Sequence, residues 1–284
     1  MTHKETVSGI TPQDLSLFFD LLEVNTGIAM DASKEYLLHS RLGSLARDQG
    51  LNSVRDLVGK LLQTPLGCLH QQAFDLMATH ETLFFRDQLA FDFIKNELMP
   101  TLLKKNEGER KLNIWCAAAS TGQEPYSLVM LLHEEFPLLQ GWEISIHATD
   151  MSESCLAQAR SGIYSAEEVV RGLSKEQIKR YFDLLETGQY QIHSKIKDYI
   201  KFYRLNLFDD WPERPLFDLI LLRNTLIYFK REKKTIILKR IFSQLAKKTG
   251  YLMLGSAEAI LFDESVETHR SHRVTYYRKA VTAG

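Results

Sequence analysis

Cysteine is scarce in this chain of 284 residues, and its distribution excludes the common cysteine-based metal sites. Cys68, Cys116 and Cys155 are widely separated, whereas zinc motifs place two ligands a few residues apart. Cys116 and Cys155 also fall within apolar patterns, which predicts reduced thiols in a hydrophobic core. His269 and His272 have no third ligand near them in the sequence, so we interpret them as surface residues and predict no metal site.

Long hydrophobic runs and an excess of one charge are also missing. No apolar stretch approaches the roughly 20 residues that a membrane-spanning helix needs, and the first residues lack the apolar segment of a secretion signal. The formal net charge is −1, so the chain as a whole does not attract polyanions, although a local basic face is compatible with that balance. We therefore expect a cytoplasmic protein that neither binds nucleic acid nor inserts directly into a membrane.

The glycines of a dinucleotide-binding fingerprint are absent from the central strand–turn–helix pattern. Residues 112–116 form a short apolar run typical of a buried strand, and apolar residues recur at helical spacing over 128–132. A turn of small residues joins the two and leads to Pro125, which suits the first turn of a helix. Such a junction binds nucleotides in α/β folds, and alanine and serine in place of the glycines favour a nucleoside without phosphates, such as S-adenosylmethionine. An ordinary helix start in an α/β domain is the alternative interpretation.

Two acidic residues are candidates for binding such a ligand. Glu124 lies in the first turn of the predicted helix, where the helix dipole favours a negative charge that can pair with a ligand ammonium group. Asp150 ends the next predicted strand, which begins at Glu143, and the corresponding acid in dinucleotide-binding folds accepts the ribose hydroxyls. Capping of the helix that follows is the alternative role for Asp150.

The length of the chain indicates two domains, and residues 11 to about 80 predict a series of short helices. The second of these helices, at about 32–49, has Lys34 and Arg41 beside its apolar stripe of leucines rather than opposite it. One interpretation is that the apolar stems of these side chains cover the core while their charged ends reach water. The other interpretation is that this face docks an acidic partner.

The alternation of strands and helices is interrupted at residues 188–202. Residues 190–193 and 199–203 predict two antiparallel strands joined by a polar turn, and they follow a helix predicted over 174–185. Such an insert either offers an edge to a docking peptide or is only an excursion of the chain. A buried strand predicted at 217–222 then resumes the α/β pattern.

Several of these segments together resemble those of the chemotaxis receptor protein-glutamate O-methyltransferases. The similar segments keep the order and spacing of that family over nearly the whole chain, at residues 82–86, 118–127, 148–150, 205–207, 217–229 and 250–258. The resemblance implies an α/β protein with a small all-helical N-terminal receptor-recognition domain and linker at residues 1–88. A Rossmann-like class I S-adenosylmethionine-dependent methyltransferase domain would follow at 89–284, with a small antiparallel β insert at about 188–203.

The resemblance also implies which residues form the functional site. The residues that would bind the cofactor are His80, Thr82, Arg86, Glu124, Asp150, Asn206, Leu207, Arg223 and Asn224. Arg86 and Tyr228 would lie nearest the transferred methyl group and act in catalysis. The residues that would face the methylation helices of the receptor are Lys34, Arg41 and Arg47, although Arg47 projects elsewhere on an ideal helical wheel. His80 stands where the family usually has asparagine, and it can also donate or accept a hydrogen bond.

The implied reaction transfers a methyl group from S-adenosylmethionine to glutamate side chains on the cytoplasmic helices of methyl-accepting chemoreceptors. The products are glutamyl methyl esters and S-adenosylhomocysteine, and a receptor tail peptide is a candidate partner for the β insert. One alternative is a methyltransferase for RNA or a small molecule, which should show a basic channel or stacking aromatic residues. A second is a signalling scaffold that binds the cofactor without turnover. A nicotinamide-dependent dehydrogenase is disfavoured by the missing glycine fingerprint.

Overall fold

The computed structural model describes residues 9–139, 141–246, 250–260 and 265–280, and the chain divides into two compact units. The helical unit comprises the described residues up to Thr79 together with Tyr228–Lys234. The sheet unit comprises His80–Ile227 and the described residues from Thr235 onward. No helix of the described residues combines the length and the apolar character needed to cross a bilayer.

The helical unit is built from α1 (Pro12–Thr26), α2 (Glu35–Asp48), α3 (Val54–Gln63) and α4 (Cys68–Met77), with a 3₁₀ turn at Ala32–Lys34. Local capping fixes two of the helix starts, because the Thr11 and Ser53 hydroxyls accept hydrogen bonds from backbone N–H groups three residues later, each at 3.1 Å. Gly27 ends α1 in the left-handed conformation that glycine adopts without strain. The apolar faces of the helices meet in a core that includes Phe18, Leu22, Leu38, Leu42, Leu57 and Phe74. The predicted series of helices is confirmed.

The sheet unit alternates strands and helices along the chain. Its strands are β1 (Lys111–Ala117), β2 (Glu143–Asp150), β3 (Ile163–Tyr164), β4 (Phe182–Leu184), β5 (Tyr190–Ile192), β6 (Ile200–Arg204), β7 (Leu219–Leu222), β8 (Tyr251–Leu254), β9 (Val266–Ser271) and β10 (Val274–Lys279). The α-helices outside the first four are α5 (Gln88–Phe93), α6 (Met99–Lys105), α7 (Gln123–Glu135), α8 (Glu153–Ser161), α9 (Ala166–Val170), α10 (Lys175–Tyr181), α11 (Ser194–Lys197) and α12 (Arg231–Gln244). A π-helical turn at Ile94–Leu98 and 3₁₀ turns at Pro137–Leu139 and Leu226–Tyr228 complete the described elements.

A seven-stranded sheet with the order β6-β2-β1-β7-β8-β10-β9 forms the centre of the sheet unit. The strands from β6 to β8 run parallel, whereas β10 is antiparallel to both of its neighbours. The direction in which the chain adds strands reverses between β1 and β7, and open α/β sheets bind ligands at the carboxyl ends of the strands beside such a reversal. The Rossmann-like fold class is thereby confirmed. Cys116 and Cys155 are buried and form no disulfide among the described residues, as their apolar surroundings predict.

A small antiparallel sheet is present, but its strands differ from those predicted. The order is β3-β5-β4, so residues 182–184, expected to end a helix, form a strand instead. Residues 199–203 were expected to pair with 190–193, and that pairing is wrong. Residues 200–204 form β6, which lies parallel to β2 at the edge of the main sheet. The short helix α11 separates the two segments, so closeness in the sequence does not lead to a hairpin.

His147 on β2 should make the stability of the fold depend on pH. Its ring packs against Phe217, with ring centroids 5.2 Å apart, and burial followed by the charges of Arg214 and Lys201 lowers its pKa from 6.5 to about 4. Because the folded-state pKa lies below the unfolded value, the stability that the neutral ring contributes is present above pH 6.5 and lost as the pH falls toward 4. Since the ring is partly exposed, we expect this loss to be on the order of 1–2 kcal/mol.

Chemical denaturation of the wild type and of His147→Gln between about pH 7 and pH 4.5 measures this effect. The variant should lose less stability over that range, whereas His39→Gln at an exposed position of α2 should behave as the wild type. Equal pH dependence of wild type and His147→Gln would contradict the assignment.

Candidate functional site

The turn between β1 and α7 has an unusual backbone conformation. Ala118, Ser120 and Gly122 have φ angles of 61°, 51° and 96°, in the left-handed region that residues with a side chain rarely adopt. A methyl group on Gly122 would lie 3.0 Å from the Cβ of Ala159 and 3.1 Å from the hydroxyl of Tyr164, so this crowding and the positive φ angle both favour glycine there. Backbone of this kind persists only where surrounding contacts hold it, and it is concentrated at functional sites.

Asp150 ends β2 directly beside this turn. Its Oδ2 accepts a hydrogen bond from the Ser120 N–H at 2.8 Å, and its Oδ1 accepts one from the Ser152 N–H at 2.9 Å. Burial raises the pKa of Asp150, while these N–H donors oppose the rise. The side chain that caps α8 is that of Ser152, whose Oγ accepts from the Cys155 N–H. A carboxylate has about four lone-pair sites, so Asp150 can still accept bonds from ligand hydroxyls.

Arg223, which follows β7, lies in a cluster of charged groups. Its Nη1 donates to Oε2 of Glu124 at 2.8 Å, and its Nη2 donates to the Arg86 carbonyl at 2.9 Å and to Oδ2 of Asp87 at 3.3 Å. The guanidinium lies 5.7 Å from the centroid of the Phe91 ring, and only 2% of the side chain is exposed. Burial raises the pKa of Glu124, and the charge of Arg223 opposes the rise.

The Nε of Arg223 is buried and has no hydrogen-bond partner among the described residues. A buried donor without an acceptor carries a desolvation penalty of about 1–3 kcal/mol. A ligand that presents an acceptor to this nitrogen would remove that penalty. The cluster is therefore suited to binding a group that carries a negative charge or a carbonyl oxygen.

The segment 80–87 runs along the same turn. The Ser120 hydroxyl donates to the His80 carbonyl at 2.9 Å, and the Phe85 N–H donates to the Ser127 hydroxyl at 2.8 Å. Phe85 and Asp87, on either side of Arg86, have φ angles of 48° and 67°, again in the left-handed region. Thr82 is half-buried within the segment.

Arg86 folds back onto its own loop. Its Nη1 donates to the Glu81 carbonyl at 2.6 Å. A guanidinium has five N–H donors, so this bond leaves others for a ligand.

Three further candidates lie at the ends of β6 and β7. The Leu205 N–H donates to the Asp150 carbonyl at 2.9 Å, which brings Asn206 and the buried Leu207 next to the end of β2. The side-chain oxygen of Asn206 accepts from the Phe208 N–H at 3.1 Å. Asn224 directly follows Arg223 and has a φ angle of 57°.

Tyr228 is assigned to the helical unit, unlike the other candidates of the site. Its carbonyl accepts a hydrogen bond from the Ala29 N–H at 3.0 Å, and Phe229 pairs with Ile28 in an isolated bridge. That Arg86 and Tyr228 meet at the methyl group stays a prediction.

Two family models match the chain over most of its length. The model of the CheR methyltransferase all-alpha domain matches residues 13–77, and that of the CheR methyltransferase SAM-binding domain matches residues 80–276. The chain belongs to the CheR methyltransferase family. S-adenosylmethionine is therefore its cofactor, and the resemblance found in the sequence is confirmed.

Individual relatives match this CheR methyltransferase over most of their own length. Chemotaxis protein methyltransferase 1 of Pseudomonas aeruginosa is 42% identical over 87% of this chain and 90% of its own length. Chemotaxis protein methyltransferase Cher2 of Pseudomonas putida is 39% identical over the same shares, 87% and 90%. A chemotaxis protein methyltransferase of Vibrio parahaemolyticus is 36% identical over 90% of this chain and 92% of its own length.

The groups at the reversal of the sheet fit S-adenosylmethionine chemically. The cofactor carries ribose hydroxyls, an ammonium group and a carboxylate. The site offers the Asp150 carboxylate at a strand end, the Glu124 carboxylate at a helix start and an unused buried donor on Arg223. The turn of small residues at 118–120 lets a ligand approach the backbone closely.

The basic residues in and next to α2 differ in their surroundings in this CheR methyltransferase. The Nη1 of Arg41 donates to the carbonyls of Met77 and Ala78 at 2.5 and 3.0 Å, and its Nη2 donates to the Thr79 hydroxyl at 3.1 Å. Arg41 thus satisfies carbonyl groups at the end of α4, a structural role that neither sequence-based interpretation anticipated. Lys34 and Arg47 are exposed near the two ends of α2.

Sequence reasoning missed the contributions of Ser120 and Asp87 to the site. Ser120 bonds Asp150 through its backbone N–H, which any residue except proline would supply, so its identity gave no signal of that contact. Asp87 follows Arg86 directly, and an acid beside a conspicuous arginine was the one available hint.

Proposed function

We propose that this CheR methyltransferase transfers the methyl group of S-adenosylmethionine to glutamate side chains on the cytoplasmic helices of chemoreceptors. The observation that carries the proposal is the match of 87% of the chain to a relative named a chemotaxis protein methyltransferase, at 42% identity. A cytoplasmic location follows from the proposed substrate. The helical domain within residues 1–88 would recognise the receptor, and the linker that ends this region would bind the cofactor together with the domain of residues 89–284.

The proposed cofactor site lies at the carboxyl ends of the parallel strands. Asp150 would accept the ribose hydroxyls, Glu124 would pair with the ammonium group, and Arg223 would donate to the carboxylate. The residues that complete the proposed site are His80, Thr82, Arg86, Asn206, Leu207 and Asn224.

Asp150→Asn should weaken the binding of S-adenosylhomocysteine. The substitution removes the charge of an acceptor already held by two N–H donors, and losing a charge-assisted hydrogen bond costs roughly 1.5–3 kcal/mol. Isothermal titration calorimetry measures the affinity, and Asp198→Asn at an exposed position is the matched control. Glu124→Gln should have an effect of the same order. Wild-type affinity in both folded variants would remove the site assignment.

The proposed chemistry requires few groups from the protein. The bound cofactor supplies an electrophilic methyl group, and a substrate glutamate is already ionised at neutral pH, so no general base is needed. Arg86 and Tyr228 would orient the carboxylate in line with the methyl group. Because charge is neutralised during the transfer, a site that excludes water favours the reaction, and positioning supplies most of the remaining acceleration. Binding the carboxylate too tightly in the ground state would slow the step.

Methyl transfer from radiolabelled S-adenosylmethionine to receptor-containing membranes tests the proposed reaction. Label that stays with the receptor and is released as methanol by mild base would identify a methyl ester. Membranes in which the receptor glutamates are replaced by alanine provide the control. Label on RNA or a small molecule, or cofactor binding without any transfer, would contradict the proposal.

The exposed cations at the two ends of α2, Lys34 just before the helix and Arg47 in its last turn, are proposed to dock the acidic methylation helices of the receptor. Lys34→Glu combined with Arg47→Glu should reduce the methylation rate several-fold at low salt and leave S-adenosylhomocysteine affinity unchanged. Arg41 is also part of the proposed face, but reversing its charge would break its bonds to α4 and confound the measurement. Arg55→Glu combined with Lys60→Glu, an equal charge change at exposed positions of α3, is the control. Normal methylation by the double variant at low and moderate salt would exclude these two residues from docking.

The small antiparallel sheet β3-β5-β4 is the proposed site for a receptor tail peptide. Its outer strands β3 and β4 each have one partner within the sheet, so a peptide could add to an unpaired edge. Binding of a labelled tail peptide, with Leu184→Asp on the exposed part of β4 as the disrupting variant, tests this proposal.

A further inference from the structure

The Glu258 carboxylate collects four backbone N–H groups. Its Oε1 accepts from Thr225 at 2.8 Å and from Ile227 at 3.2 Å. Its Oε2 accepts from Asn224 at 2.8 Å and from Gly255 at 2.7 Å. Three of these donors belong to the loop after β7, whereas Glu258 belongs to the loop after β8. The carboxylate thus ties together the loops that follow two adjacent parallel strands.

Gly255 makes this arrangement sterically possible. A methyl group at its Cα would lie 2.7 Å from the Asn224 nitrogen, 2.8 Å from the Asn224 Nδ2 and 2.8 Å from Oε2 of Glu258. These distances are far below van der Waals contact, so any larger residue must displace the loop after β7. The Glu258 N–H also donates to the Gly255 carbonyl at 2.9 Å, which closes the turn between the two residues.

The loop after β7, which donates to Glu258, begins with residues of the proposed cofactor site. Asn224 has a φ angle of 57°, a conformation that costs energy unless its surroundings hold it. Arg223 precedes it and directs its guanidinium to Glu124. The N–H groups of consecutive residues in a tight turn form a concave anion-binding surface, and in this loop the anion is a side chain of the protein.

We propose that Glu258 is a positioning residue for cofactor binding, which holds the loop of Arg223 and Asn224 in the shape that the ligand requires. This inference rests on the proposed cofactor site. A glutamate is suited to the role because its two oxygens accept four bonds without donating any. Glutamine would present an NH₂ group to two of the four donors and lose both bonds. Burial raises the pKa of Glu124, and the negative charge of Glu258 raises it further. The two carboxylates are therefore close enough to interact electrostatically.

Two independent substitutions test the inference. Glu258→Gln removes acceptors, and Gly255→Ala displaces the same loop by steric contact. Each should raise the dissociation constant for S-adenosylhomocysteine and the KM for S-adenosylmethionine by about tenfold. The double variant should be no more than slightly worse than either single one, because both act on one loop. The matched controls are Glu176→Gln at an exposed position and Gly59→Ala, where an added methyl group meets nothing within 4 Å.

The affinity of the folded protein distinguishes positioning from a general effect on stability. A variant that is only less stable loses binding stoichiometry and apparent kcat, but the folded fraction keeps its dissociation constant and KM. Wild-type constants in both Glu258→Gln and Gly255→Ala, measured well below the melting temperature, would overturn the inference. Asn224→Ala provides a separate control for the cofactor site. Unchanged affinity in Asn224→Ala would count against the proposed cofactor site. Weakened affinity in Asn224→Ala, with normal affinity in the Glu258 and Gly255 variants, would count against the positioning role alone.

Discussion

Arg223→Met should destabilise the sheet unit by about 3–5 kcal/mol and eliminate measurable binding of S-adenosylhomocysteine. Arg223 is buried between two acids, at 2.8 Å from Glu124 and 3.3 Å from Asp87. Removing one member of a buried ion pair leaves the remaining charge without compensation. Glu124 should account for most of the loss, because its side chain is 15% exposed whereas that of Asp87 is 28% exposed.

Urea unfolding followed by circular dichroism measures the stability change, and calorimetry measures binding. Arg223→Lys keeps the charge but cannot donate to Glu124, Asp87 and the Arg86 carbonyl from one planar group, so it should recover only part of the loss. The double variant Arg223→Met with Glu124→Gln removes the uncompensated charge. It should regain much of the stability without regaining affinity. If Arg223→Met alone unfolds at the same urea concentration as the wild type, the ion pair of Arg223 and Glu124 contributes little to stability.

Arg86→Ala should lower both cofactor affinity and methyl transfer, whereas Tyr228→Phe should lower only the transfer rate, by roughly 10- to 100-fold. The difference follows from the proposed roles. The guanidinium of Arg86 would bind the cofactor and also orient the substrate, whereas Tyr228 would contribute only a hydroxyl that orients the substrate carboxylate. Arg270→Ala and Tyr199→Phe, both at exposed positions, are the controls.

Single-turnover rates between about pH 6.5 and 8.5 test the orienting role of Tyr228. The substrate glutamate stays ionised over this range, so the loss in Tyr228→Phe should be nearly independent of pH. A wild-type rate in Tyr228→Phe would exclude the residue from the site. A titration present in the wild type and absent in the variant would mean that Tyr228 transfers a proton, in contradiction of the base-free mechanism.

Local patterns were sufficient for most elements and for the positions of Glu124 at a helix start and Asp150 at a strand end. The alternation that ends at Asp150 and the small-residue turn before Glu124 specify a strand end and a helix start, because strand and helix periodicities involve residues two to four positions apart. The carboxyl ends of adjacent parallel strands meet at one edge of a sheet. The Asp150 and Glu124 assignments therefore needed only the strand–turn–helix pattern and the general rule of the fold.

Contacts between distant segments could not be predicted from such patterns. Residues 200–204 have a strand pattern that fits either a hairpin or the edge of the main sheet, and their partner is β2, about fifty residues earlier. The bonds of Arg41 to the end of α4 and the pairing of Arg223 with Glu124 join residues 36 and 99 positions apart. The sequence pattern around a long charged side chain is the same whether that side chain contacts water, a carbonyl group or an acidic residue. Its partner is set by the packing of whole elements, and four N–H groups converge on Glu258 only after β7 and β8 have paired in the sheet.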